Sequence, residues 1–220
     1  MLLLLARHGR TASNVAALLD TAPPGPDLDE VGRRQAEALV DRLAGYPIDA
    51  VYSSDLVRAV QTAQPLTAAR ELPLTQLAEL REISGGDDEL SPDLRRYIEA
   101  LRAWGSGDPN VRIPGGETGT EFIARYNTAV RRVADEGHRT ALLVSHGAAI
   151  RTWATAVMPQ VHAEFEAVRG IPNTTVIVAE GEPGGRWELQ RIDFPEPDPD
   201  DGFTQPGVLP GDDPDVAAGT

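Results

Sequence analysis

The chain has 220 residues, 41% of them hydrophobic, enough for one substantial core, and its formal net charge of −14 excludes a general affinity for nucleic acid or for anionic membrane surfaces. Cysteine is absent, which removes disulfide scaffolds, thiolate metal sites and cysteine nucleophiles; all 20 basic residues are arginine, which removes the lysine of a P-loop and Schiff-base chemistry. The opening apolar residues lack the basic flank of a signal peptide and the length of a membrane span, so a cytoplasmic location is expected.

Residues 2–6 are a continuous apolar run of strand length that ends in Arg7-His8-Gly9. Runs without alternation suit strands buried on both faces of an α/β sheet. Residues 28–44 set Val31, Ala36, Leu39, Val40 and Leu43 on one side of a helix, with Gly45 as its stop. A strand is expected over 49–53, then a helix over 54–70 that carries Arg58 about one turn in and is kinked by Pro65. The helix expected over 91–104 lies outside the main sheet. Thr118 and Glu121 have the spacing of a capping box, followed by Phe122, Ile123, Tyr126, Val130 and Val133 at helical spacing as far as Gly137.

Residues 141–145 repeat the first pattern, an apolar run ending in His146-Gly147, and the helix over 147–158 stops at Pro159. Strands over 174–179 and 187–192 follow, the second alternating and so nearer an edge. Residues 194–220 hold six Pro, seven Asp or Glu and no Arg, half of the net charge, and read as a solvated tail or a docked strap without its own core. The expected organisation is one folded domain over 1–193 and an acidic, Pro-rich tail over 194–220. Strands alternating with helices make the domain a three-layer α/β/α structure with a largely parallel central sheet.

In such a sheet both His-Gly pairs emerge at the carboxyl edge, where α/β proteins place their ligand sites. Arg58 reaches the same edge, and with Arg7 it supplies planar donor forks suited to the oxygens of a phosphoryl group. His138 and His162 lack the strand-end setting and read as surface residues. The four histidines show no metal-ligand spacing.

In these motifs the sequence resembles the histidine phosphatase superfamily, in the branch of the phosphoglycerate mutases. The resemblance runs from residue 2 to about 178. It rests on Arg7-His8-Gly9-Arg10-Thr11-Ala12-Ser13-Asn14, on Tyr52-Ser53-Ser54-Asp55-Leu56-Val57-Arg58, and on Leu80-Arg81-Glu82, Pro114-Gly115-Gly116-Glu117 and Val144-Ser145-His146-Gly147, in the family's order. It implies that His8 attacks phosphorus and becomes a phosphohistidine. Arg7, Asn14, Arg58, His146 and the Gly147 amide would bind the phosphoryl oxygens, and Glu82 would protonate the leaving oxygen and later deprotonate water. Arg10, Thr11 and Glu117 are secondary candidates, Glu117 either reaching into the site or stabilising a helix terminus. The resemblance implies no metal or other cofactor.

The sequence departs from the family at Arg10, where Glu or Gln is common, at the Pro-rich loop Asp20-Thr21-Ala22-Pro23-Pro24-Gly25, and at the acidic segment after Glu82. Arg10 would favour a more anionic substrate; the two loop departures and a chain short between the motifs favour a phosphomonoester phosphatase acting on a small metabolite over a mutase, and a non-catalytic phospholigand-binding module is a third reading. A small phosphorylated substrate is the expected partner, nucleic acid and membrane are not, and a homo-oligomer stays open.

Overall fold

The structure is a computed structural model that describes residues 1–158, 160–161, 164–165 and 171–196. Pro159, His162 and residues 197–220, most of the expected tail, lie outside the described residues. In chain order the elements are β1 (Leu2–Arg7), α1 (Ala12–Val15), α2 (Glu30–Arg42), β2 (Ala50–Ser53), α3 (Val57–Arg70), β3 (Leu74–Gln76), α4 (Arg95–Gly105), α5 (Gly119–Asp135), β4 (Thr140–Ser145), α6 (Gly147–Val157), β5 (Val176–Gly181) and β6 (Trp187–Asp193).

The strands form one sheet in the order β3-β2-β4-β1-β5-β6. β3, β2, β4 and β1 run parallel, β5 is antiparallel to β1, and β6 is antiparallel to β5. Central β1 and β4 are apolar without alternation because both faces are covered. Leu3, Leu5 and Leu143 pack with Trp104, Tyr126 and Trp153 from α4, α5 and α6. Leu4, Leu142 and Val144 pack on the other face with Leu39 of α2 and Ala59 and Leu66 of α3. A polar atom introduced at Leu4 or Leu142, both 0% exposed, would lose burial worth about 2 kcal/mol and add an unpaired group.

Several boundaries move for identifiable reasons. The first predicted helix begins at Glu30 because the Asp29 carboxylate caps it by accepting from the Gly32 N–H. α3 begins at Val57 because Ser54 forms a turn, its hydroxyl accepting from the Leu56 N–H, and the helix then continues through Pro65 to Arg70. α4 starts at Arg95 after a Ser91–Asp93 turn, in which the Ser91 hydroxyl accepts from the Asp93 N–H. β2 starts at Ala50, since the Asp49 carboxylate instead accepts from the Arg139 and Thr140 amides. β5 starts at Val176, because Thr174 has φ +56° and turns its amide to the Arg7 carbonyl. The Thr118–Glu121 box caps α5 in both directions.

Candidate active site

β1 and β4 are paired in register from Leu2–Thr140 to Arg7–Ser145, so the histidines that follow them leave the sheet side by side. The imidazole centres of His8 and His146 are 5.1 Å apart. Both side chains are buried, and β2 on the other side of β4 delivers Ser54 and Arg58 to the same edge. This is the carboxyl edge of the parallel strands, where the chain reverses into helices and backbone N–H groups point outward. His138, by contrast, precedes β4 at the opposite edge, half-buried 3.5 Å from the Glu136 carboxylate.

The tautomer of His8 is set by its partners. Its Nδ1 lies 2.7 Å from the Gly9 carbonyl, which can only accept, so Nδ1 carries the proton. The Arg58 Nε–H then donates to the lone pair of Nε2 across 3.2 Å. Burial, then the guanidinium charges of Arg58 and Arg7, hold the His8 pKa well below the ordinary imidazole value. His8 is thus a neutral imidazole with its basic nitrogen facing two cations. The main chain around it is fixed by Asn173 Nδ2 and the Thr174 amide, both donating to the His8 carbonyl, and by the Thr62 hydroxyl, which accepts from the Gly9 N–H. Gly9 cannot be replaced without displacing backbone, because a Cβ there would stand 2.6 Å from the Gly32 carbonyl of α2.

His146 is the N-cap of α6. The Ser54 hydroxyl lies 2.9 Å from its Nε2 and also accepts from the Leu56 N–H; we assign the hydroxyl proton to the bond with Nε2, which puts the ring proton on Nδ1. That Nδ1 is buried with no partner among the described residues, and the same holds for Nη1 of Arg58. Burial, then the charge of Arg58, lowers the His146 pKa well below its ordinary value. Arg58 itself is 2% exposed and is steadied by Nη2 donating to the Asp20 carbonyl at 2.9 Å. Arg7 donates through Nη1 to the Ile171 carbonyl, and its guanidinium lies against Gly147, where a Cβ would meet Nε at 3.3 Å. Two buried donors without an acceptor among the described residues are costly unless an anion meets them.

Glu82 reaches the site from the loop after β3. Its carboxylate spans the first turn of α6, with Oε1 accepting from Ile83 and Ala149 N–H at 2.9 and 2.8 Å and Oε2 from Ala148 N–H at 3.1 Å. Three of the roughly four carboxylate lone-pair directions are used, which leaves one on Oε2. Asn14 lies across the site on α1, where its Oδ1 accepts from the Thr11 and Asn173 N–H groups, so its Nδ2 is the end left to donate.

The three secondary candidates are engaged elsewhere. Arg10 is ion-paired at 2.8 Å to Asp29, the carboxylate that caps α2. Thr11 is the N-cap of α1, its hydroxyl accepting from the Asn14 N–H. Glu117 precedes Thr118, the N-cap of α5, and forms a two-pronged pair with Arg125 at 2.7 and 2.8 Å. Sequence reasoning passed over Asn173, Ser54, Thr62 and Arg125. Of these Ser54 and Thr62 carried a sequence signal, both lying within the segment from Tyr52 to Ala63 that resembles the family. Among the described residues no three His, Asp or Glu side chains are grouped to hold a metal ion, and no helix is long and apolar enough to cross a membrane.

A sheet edge that presents two neutral, buried histidines and two guanidinium groups around vacant donors defines a phosphoryl-transfer enzyme of the histidine phosphatase kind. The model of the histidine phosphatase superfamily (branch 1) matches residues 3–194, and the chain belongs to that superfamily. Phosphoglycerate mutase-like protein 4 of Arabidopsis thaliana is 32% identical over 200 residues, covering 86% of this chain and 83% of that protein. The PE-PGRS family protein PE_PGRS11 of Mycobacterium tuberculosis is 32% identical over 202 residues, 83% of this chain, and the chain spans 35% of that longer protein. Among solved structures, a mycobacterial glucosyl-3-phosphoglycerate phosphatase complexed with VO3 superposes with a TM-score of 0.71 at 28% identity, covering 86% of this chain and 96% of that one.

Proposed function

We propose that this chain is a cytoplasmic, metal-independent phosphomonoester phosphatase that acts on a small phosphorylated metabolite through a phosphohistidine at His8, with residues 1–193 as its catalytic unit. The observation that carries this reading is the pair of buried, unpartnered donors, Arg58 Nη1 and His146 Nδ1, beside the lone pair of His8 Nε2. A phosphoryl group bound there completes both donors and presents phosphorus to Nε2. The likeness to a phosphatase structure supports the same reading.

In the first step Nε2 attacks phosphorus and the P–O bond of the ester breaks. The leaving oxygen takes a proton from the Glu82 carboxyl, and the N–P bond is formed. In the second step water attacks phosphorus, Glu82 takes its proton, the N–P bond breaks, and inorganic phosphate and neutral His8 result. Arg7, Arg58, His146, Asn14 and the Gly147 amide hold the phosphoryl oxygens, whose charge is spread over the equatorial positions in the transition state. A neutral nucleophile is required, and burial beside two guanidinium groups keeps His8 neutral near pH 7.

Trapping the intermediate tests the proposal. After rapid mixing with p-nitrophenyl phosphate and an alkaline denaturing quench, in which an N–P bond survives, intact mass should show one added phosphoryl group, absent from His8→Ala and unaffected by EDTA. A folded His8→Ala protein that retains more than about a few per cent of turnover would remove His8 as nucleophile, since loss of an activated nucleophile abolishes its route. Activity lost to EDTA and restored by a divalent cation would overturn metal independence. The mutase-like relative favours a second reading, intramolecular transfer. It predicts isomerised phosphoglycerate in place of released phosphate, whereas a binding module predicts no adduct at all.

A further inference from the structure

The segment 79–83, which carries Glu82, leaves a short 3-10 turn over Ala78–Leu80 and joins no strand or α-helix, and each of its carbonyls is met by a side-chain donor. Arg125 Nη1 donates to the carbonyls of Glu79 and Arg81 at 2.8 and 2.9 Å, and its Nη2 to that of Glu82 at 3.0 Å. The Ser145 hydroxyl takes the Leu80 carbonyl at 2.8 Å and the Tyr97 hydroxyl that of Ile83 at 3.3 Å. The remaining Arg125 donors close on Glu117, whose Oε1 also accepts from the Ser84 N–H at 3.3 Å. All five N–H groups of the guanidinium are thereby used, and its flat face lies 4.9 Å from the centre of the Phe122 ring. The clamp grips the main chain on both sides of Glu82, and the Glu82 carboxylate extends from it to the α6 amides beside His146.

We infer that Arg125, locked by Glu117, is the positioning residue that holds Glu82 as proton donor at the reaction centre; this rests on the assignment of Glu82 as the acid. Arg125 touches neither histidine. It acts through five N–H bonds whose directions only a planar fork can supply, which a lysine ammonium cannot reproduce. Leu80 and Ile83 anchor the loop in the core and Arg81 pairs with Asp55, but the Glu82 carbonyl itself is held by Arg125 Nη2, and a shift of about 1 Å in a catalytic group costs on the order of 100-fold.

The readout is the leaving-group dependence of phosphoenzyme formation, measured in single turnover on an alkyl phosphate and on p-nitrophenyl phosphate. An aryl leaving group needs little protonation, so loss of the donor slows the alkyl ester selectively. Glu82→Gln is the reference, expected to slow the alkyl ester by roughly 100- to 10,000-fold and the aryl ester far less. Arg125→Gln and Arg125→Lys should both show the same selective loss, about 100-fold on the alkyl ester, with inhibition by inorganic phosphate unchanged. The double variant Glu82→Gln/Arg125→Gln should be no slower than Glu82→Gln alone, since both remove one function. Equal loss on both esters in folded Arg125→Gln, or an additive double variant, overturns the inference while leaving Glu82 as the acid. Equal loss on both esters in Glu82→Gln overturns the acid assignment instead. If Arg125→Gln does not fold, Glu117→Gln, which keeps the arginine and loosens its anchor, is judged by the same ratio: selective loss supports the clamp and uniform loss overturns it.

Discussion

At the scale of the residue, the site depends on keeping an imidazole unprotonated among cations. His8 Nε2 meets Arg58 Nε at 3.2 Å, a contact that a protonated ring could not make, since both atoms would then be donors. The His8 pKa is depressed first by burial and then by Arg58 and Arg7. The acid limb of kcat/KM should therefore fall below about pH 6.5, the ordinary imidazole value, and activity should persist into weakly acidic buffer. A pH–rate profile on the free enzyme checks this, and an acid limb at or above about 6.5 would contradict the neutral-nucleophile assignment. Arg58→Gln should move that limb upward, because it removes one of the two charges that oppose protonation.

At the scale of the element, the two chain-specific loops form one unit beside Arg58. The Glu89 carboxylate accepts from the Thr21 N–H at 2.7 Å, the Ala22 N–H at 2.9 Å and the Thr21 hydroxyl, and that hydroxyl accepts from the Gly85 N–H at 2.8 Å. Leu19 and the 90–91 turn exchange backbone hydrogen bonds, Leu19 N–H to Ser91 O and Leu90 N–H to Leu19 O. The unit ends on the reaction centre through the Asp20 carbonyl, which receives Arg58 Nη2, and through Gly25. Gly25 has φ +70°, and a Cβ there would stand 2.5 Å from Arg58 Nη1. Asp88, paired with Arg96 of α4, anchors the second loop from behind. Glu89→Ala leaves two amides and a hydroxyl to be satisfied by water; it should lower stability by about 1–3 kcal/mol in urea denaturation and weaken competitive inhibition by phosphate roughly tenfold. Unchanged phosphate inhibition would mean that the loops do not set Arg58.

At the scale of the whole molecule, the site imposes a cost that appears as pH-dependent stability. His8 and His146 both have folded pKa values below the unfolded value of about 6.5, by burial first in each case. Below that pH the unfolded chain takes up protons that the native state refuses, so stability is full above about 6.5 and falls as pH falls. The loss from the two together should be about 2 kcal/mol between pH 6.5 and 5.5, and a His8→Ala/His146→Ala double variant should lose that slope. Equal slopes for both proteins in urea titrations would show that the histidines are not the source. Six Pro and seven acidic residues over 194–220 are a composition expected to bury no core of its own. Deletion of residues 197–220 should leave kcat/KM unchanged, and a loss beyond about threefold would assign that segment a part in the site.

The class of fold and the meeting of the histidines were written in local pattern. Apolar runs at 2–6 and 141–145, of strand length and without alternation, suit strands buried on both faces, and the Thr118–Glu121 spacing is a local signal for a helix start. A strand that ends in His-Gly places its histidine at a sheet edge, so parallel pairing of β1 with β4 was enough to bring His8 and His146 within 5.1 Å. Short elements escaped notice, since α1 and β3 have four and three residues, too few for any period to register. The same limit hid the antiparallel direction of β5, because an apolar run carries no sign of its direction. What the tertiary structure alone decided is where polar side chains turn. Arg10 faces Asp29, Glu117 faces Arg125, and the Pro-rich loop closes on Arg58, all by pairing with residues 8 to 38 positions away in sequence. A charged side chain several bonds long sweeps a wide volume, and its direction is fixed by whichever partner the fold brings within reach. The chain therefore determines by itself which groups stand at the sheet edge, while long-range packing determines which remain available for chemistry.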